Sequence, residues 1–151
     1  MTRLSMRACI ALFLLLSGCY GGAKIAGGEG EMAKLYGRVW ELQSVLLDGR
    51  HDIMHVDAKM TVSFAPGGQI AGFGAVNRFA GVYKLSPDGK FAWASLGVVG
   101  EHKRGAPELV EKELNFLEAL RKTNMLIIGR RSLVLQRDDG STVLTFTEQG
   151  F

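Results

Sequence analysis

The chain has 151 residues, with 18 basic and 15 acidic side chains, three histidines and a formal net charge of +3. Two of the basic residues, Arg3 and Arg7, belong to an N-terminal leader, so that beyond residue 18 there are 133 residues with 16 basic against 15 acidic side chains. That near-neutrality removes the electrostatic motive for a nucleic-acid partner, and a chain of this length can bury a core without disulfides.

Residues 1–18 read as a signal peptide. Arg3 and Arg7 form a positive n-region, and Ala8 to Leu16 is an unbroken apolar run, shorter than the roughly 20 residues that a spanning helix needs. The run ends in Leu16-Ser17-Gly18-Cys19, which resembles a bacterial lipobox. This predicts cleavage before Cys19 and a thioether lipid on its sulfur, leaving a mature chain with no free thiol and no disulfide. Tyr20, rather than aspartate, follows the cysteine, which resembles the enteric default for outer-membrane sorting. Residues 19–32 then read as a lipidated cysteine and a glycine-rich flexible tether, with a single domain over 33–151.

Strand signals open the domain. Trp40, Leu42 and Leu46 alternate with Glu41, Gln43 and Val45, which makes one face mostly apolar, and Asp48-Gly49 marks a turn. His51 to Asp57 is irregular. Met60–Phe64 alternates, and Pro66-Gly67-Gly68 turns the chain into Gln69–Phe73. A strand over Gly81–Leu85 follows, then a turn at Pro87-Asp88-Gly89 and a strand carrying Phe91 and Trp93. Leu96 to Gly105 reads as a loop.

One helix is expected from Pro107, a residue suited to a first helical turn. Leu109, Val110, Leu114, Phe116, Leu117 and Leu120 supply its apolar stripe. Glu108 and Glu111 near its start and Arg121 and Lys122 near its end match the helix dipole, and Glu108–Lys112 and Glu118–Lys122 are favourably ordered i,i+4 pairs. Met125–Ile128 reads as a strand buried on both faces, and Ser132–Gln136 and Thr142–Phe146 flank an Asp138-Asp139-Gly140 turn. Short strands in hairpins with one late helix predict an α+β domain. Its core is a mainly antiparallel curved sheet or partly open β-barrel with the helix packed against it.

The most distinctive stretch is Ala71–Tyr83. It holds Gly72, Gly74 and Gly81, together with Asn77, Phe79 and Tyr83. Glycine permits close approach of another chain segment, and asparagine satisfies backbone groups in turns. The stretch therefore reads as a tight corner between two strands, pinned by Phe79 and Tyr83, with Asn77 structural and Arg78 free for a surface contact.

Taken in order, several strings resemble the META domain (HslJ-like) family. They are Val39-Trp40-Glu-Leu42, Gly72-Phe-Gly-Ala-Val-Asn77-Arg78-Phe79-Ala-Gly81-Val-Tyr83, Glu113-Leu-Asn-Phe116-Leu117-Glu-Ala-Leu120, and Leu133-Val-Leu135 with the DDG turn and Val143–Phe146. The resemblance covers about Leu35 to Phe146 and implies a domain somewhat like the small cracked barrels of secretion pilot lipoproteins. The family's central pattern is G-C-N-x-F-x-G-x-Y, with a second cysteine before the helix in many members. Here those two positions fall on Val76 and Gly105, so no redox role carries over. Family members are associated with envelope stress, novobiocin resistance or trypanosomatid virulence.

No constellation for chemistry emerges, and no enzyme activity, metal or cofactor is expected. His51 and His55 stand four apart, but without a third ligand or helical periodicity. Gly72-Phe-Gly74 lacks the third glycine and the βαβ unit of a dinucleotide loop. Two basic knots, His102-Lys103-Arg104 and Arg130-Arg131, are expected to approach each other; facing the membrane they would meet anionic headgroups, at about 1 kcal/mol per charge, but solvated charge balanced by Asp138 and Asp139 is the favoured reading. The expected function is a non-enzymatic binding or stress-related structural role in the bacterial envelope. The chain would be anchored to membrane through Cys19, facing the periplasm from the outer membrane, with an unknown envelope protein or ligand as partner. The alternatives are a carrier of a lipid or small apolar molecule, or an inhibitor of an envelope hydrolase.

Overall fold

The structure, a computed structural model, describes residues 24–25, 29–52, 58–86, 88, 90–100 and 102–150. The signal peptide, Cys19, His55, Pro87, Gly89 and Glu101 lie outside the described residues.

Among the described residues, ten strands form one sheet. They are β1 (Lys24–Ile25), β2 (Trp40–Leu47), β3 (Arg50–Asp52), β4 (Met60–Ala65), β5 (Gln69–Gly74), β6 (Arg78–Leu85), β7 (Phe91–Val98), β8 (Met125–Ile128), β9 (Ser132–Gln136) and β10 (Val143–Glu148). A short helix α1 (Glu29–Met32) and a 3-10 turn (Ala33–Leu35) precede β2, and α2 (Pro107–Lys122) lies between β7 and β8. The strand order is β1-β8-β9-β10-β2-β4-β5-β6-β7, with β3 paired to β2 alone, and every strand pairing is antiparallel. The sheet curls until its far strand returns to β8, where Lys90 bridges Met125 and the Phe91 amide donates to the Asn124 carbonyl at 2.9 Å. The result is a half-barrel with one main helix packed against it, consistent with the α+β expectation.

The alternation read from the sequence explains which face is inside. Along β4 Met60, Val62 and Phe64 are buried, and Thr61, Ser63 and Ala65 between them are not. Trp40, Phe79, Phe116 and Phe146 fill the interior at 1% exposure or less. Phe116 of α2 joins the two halves of the curl, edge-on to Phe79 at 5.6 Å and to Phe146 at 6.5 Å between centroids. Such edge-to-face pairs add about 0.5–1.5 kcal/mol to the burial of the rings themselves.

Several elements depart from expectation. β6 begins at Arg78, so the corner is three residues long. β7 runs on to Val98 because Leu96 and Val98 pair opposite Gly81 and Phe79, where a loop was expected. β8 is buried on alternate residues only, Leu126 and Ile128. Met32, placed by sequence in the tether, is 1% exposed and belongs to the core, and Lys24–Ile25 pairs with β8. The helix has Leu114 outward, 61% exposed, and Glu113 inward, 4% exposed. His51 lies in β3 and is exposed.

Candidate functional site

The glycine-rich corner is the densest polar feature of the interior. β5 and β6 must turn within Ala75–Asn77, and the Gly74 amide closes the turn on the Asn77 carbonyl at 2.8 Å. Ala75 carries φ +91°, a region that costs a residue with a Cβ roughly 1–2 kcal/mol. Such a turn leaves backbone donors pointing into the fold, and an apolar lining cannot satisfy them. Glu113 does so from α2. Its Oε2 accepts from the amides of Val76 (2.9 Å) and Asn77 (2.6 Å), and its Oε1 accepts from Asn77 Nδ2 (2.7 Å). Asn77 Oδ1 in turn accepts from the Lys103 amide at 2.7 Å. One asparagine thus ties the corner to the helix and to the segment that leads into the helix.

The remaining residues of the stretch hold this geometry. A Cβ on Gly74 would lie 2.9 Å from Glu113 Cγ, one on Gly72 2.7 Å from the Phe79 ring, and one on Gly81 2.5 Å from the Ser95 carbonyl oxygen. These are close approaches that only glycine permits. Phe79 and Tyr83 are buried beneath the sheet. Tyr83 meets Phe64, Phe91 and Trp93 edge-on at 6.0–6.3 Å, and burial, reinforced by Tyr36, pushes its hydroxyl pKa up to about 12. The structure therefore brings Gly72, Gly74, Asn77, Phe79, Gly81 and Tyr83 into one unit.

Sequence reasoning missed Glu113 as the partner of that unit. The signal was present. Glu113 lies three or four residues from Leu109, Val110, Phe116 and Leu117, at the centre of the apolar stripe, and Leu114 lies off it. The positions of the two missing cysteines are adjacent. A Cβ built on Gly105 would lie 3.5 Å from Val76 Cβ, within the range a disulfide spans. Here the contact is apolar, and the corner depends on Glu113 instead.

Outside the corner, the convex face of the sheet bears a half-open trough of about 870 Å³. Its floor includes a row of small residues in register across three strands, Ser63, Ala71 and Ala80. Phe73, Arg78, Val99 and Lys103 stand on its corner side, and Val82 lines an adjoining hollow of about 410 Å³. Phe73, Val82 and Val99 are 36–47% exposed. A smaller hollow of about 330 Å³ lies between β2, β3 and α2, lined by Val45, Leu47, Arg50, His51, Glu111 and Asn115. The two basic knots do not meet. The Lys103 amide binds Asn77 in the β5–β6 corner, and Arg130-Arg131 forms the β8–β9 turn at the opposite end of the strands.

The META domain model matches residues 33–150. No curated protein matches the chain. An NMR structure of a protein from Burkholderia xenovorans superposes with a TM-score of 0.62 at 19% identity, covering 100% of both chains. A crystal structure of a DUF4847 family protein from Bacteroides vulgatus ATCC 8482 superposes with a TM-score of 0.58 at 12% identity, covering 82% of this chain and 100% of the other. At these identities the likeness is one of fold, and the family-model match over most of its length shows that this chain belongs to the META domain family.

Proposed function

We propose that the chain is a bacterial envelope lipoprotein, anchored through Cys19, whose META domain serves a non-enzymatic binding or stress-related structural role at the periplasmic face of the outer membrane. The observation that carries this reading is the division of labour around the corner. Asn77 and Glu113 face inward and are occupied by each other and by backbone amides. The open surface beside them is a shallow trough with one apolar rim, Phe73 and Val99, two cationic side chains and a floor of small residues. Such a surface suits contact with a partner segment more than enclosure of a reacting group.

The interior gives a lipid carrier little support, since aromatic side chains fill it. Site-specific photocrosslinking in intact envelopes tests the proposal. A photoreactive residue at Phe73 should give one discrete adduct that Val99→Asp suppresses, and one at the exposed Leu114 should not. Equal labelling from both positions, or a hydrolytic activity abolished by a single substitution, would contradict it.

A further inference from the structure

We infer that the end of the half-barrel bearing Arg130 and Arg131 rests on anionic lipid headgroups, with the helix-plugged end and its corner turned away from the membrane. This rests on the proposed anchor at Cys19. Lys24 pairs with Ile128, and Ile25 with Ile127, so the chain enters the domain one residue from the β8–β9 turn. Four residues separate Cys19 from Lys24, and an extended chain covers at most about 18 Å over the five steps between them. A lipid on Cys19 therefore holds this end of the sheet within about that distance of the bilayer surface.

The residues gathered there suit such a surface. Arg130 and Arg131 are exposed at the turn. Arg38 and the 38%-exposed Val39 sit beside them, joined through β10: the Glu148 amide donates to the Arg131 carbonyl at 3.1 Å, and the Gln149 amide to that of Val39 at 2.9 Å. Glu148 pairs with Arg38 at 3.4 Å. Asp138 and Asp139, which the sequence offered as counter-charges, lie at the other end of β9, where they pair with Lys90 and Arg137. Among the described residues no carboxylate pairs with Arg130 or Arg131, which leaves both available to an external anion. Two such charges near an anionic bilayer correspond to about thirtyfold in partitioning. The orientation also presents the corner side of the trough, with Phe73 and Val99, toward the aqueous side.

Full-length lipidated protein, reconstituted in phosphatidylcholine vesicles with or without phosphatidylglycerol, tests the orientation. With Cys19 acylated, Ser132→Cys and His102→Cys each offer one labelling site, at the two ends of the sheet. A fluorophore at residue 132 should be quenched by a headgroup-attached quencher severalfold more than one at residue 102 in phosphatidylglycerol vesicles. The difference should fall when Arg130→Gln and Arg131→Gln are introduced or when the anionic lipid is omitted. Equal quenching at both sites, stronger quenching at residue 102, or a contrast indifferent to the arginines would overturn the inference and leave the anchor intact. If the wild-type protein fails to float with vesicles, the anchor reading fails and the orientation fails with it.

Discussion

Replacing Glu113 with alanine should destabilise the domain more than any other single polar substitution in the corner. The carboxylate receives three hydrogen bonds. The Val76 amide is part-buried and can be rehydrated once the acceptor is gone. The Asn77 amide and side-chain nitrogen are buried, and each orphaned donor costs about 1–3 kcal/mol. The truncation also leaves a void against Gly74. The sum is about 3–5 kcal/mol, a large part of the roughly 5–15 kcal/mol that holds a domain together, and corresponds to a fall in Tm of about 10–20 °C. Urea and thermal unfolding followed by circular dichroism at neutral pH read this directly. Asn77→Ala should cost about 1–3 kcal/mol. The double variant should cost less than the sum, because the two residues share one network. A loss below about 1 kcal/mol for Glu113→Ala, or strict additivity with Asn77→Ala, would refute the claim that this pair holds the corner.

Three further outcomes follow from the same geometry. Ala75→Gly should raise stability by about 0.5–1 kcal/mol, since relief of the positive φ exceeds the added freedom of the unfolded chain; a lower Tm would show that the turn is not strained. Val76→Cys with Gly105→Cys should oxidise spontaneously, as mass spectrometry can show, and closing a loop of that length adds up to about 3.6 kcal/mol before strain. If the thiols stay free under oxidising conditions, the two segments are further apart than described. Tyr83 has a raised pKa in the folded state, so its neutral form stabilises the fold below pH ~10, and that contribution is lost as pH rises toward about 12. Tyr83→Phe should flatten this alkaline limb of the stability profile, and an unchanged limb would assign it to other groups.

Much of the fold could be read directly because its determinants are local. Met60–Ala65 alternates cleanly, Pro66-Gly67-Gly68 and Asp48-Gly49 turn where backbone of positive φ is required, and Pro107 opens the helix. What sequence reasoning missed depends on contacts distant in sequence. Nothing local to Lys24–Ile25 says that it pairs with β8, and Met32 looks like tether until the core that receives it is assembled. Leu96 and Val98 become strand residues through their partners Gly81 and Phe79. Leu114 and Glu113 are the instructive pair: hydrophobicity alone favoured the leucine, although helical spacing placed the glutamate at the centre of the buried face. The glutamate is inward because the β5–β6 corner presents donors there, and those donors appear only when strand and helix meet.

The measurement that tests the central claim most directly is amide hydrogen exchange at Asn77 in the unaltered protein. If Glu113 holds that amide inside the fold, it should exchange only on global unfolding, with protection equal to that of the core strands. Exchange as rapid as in the exposed turns would contradict the structural role assigned to the corner.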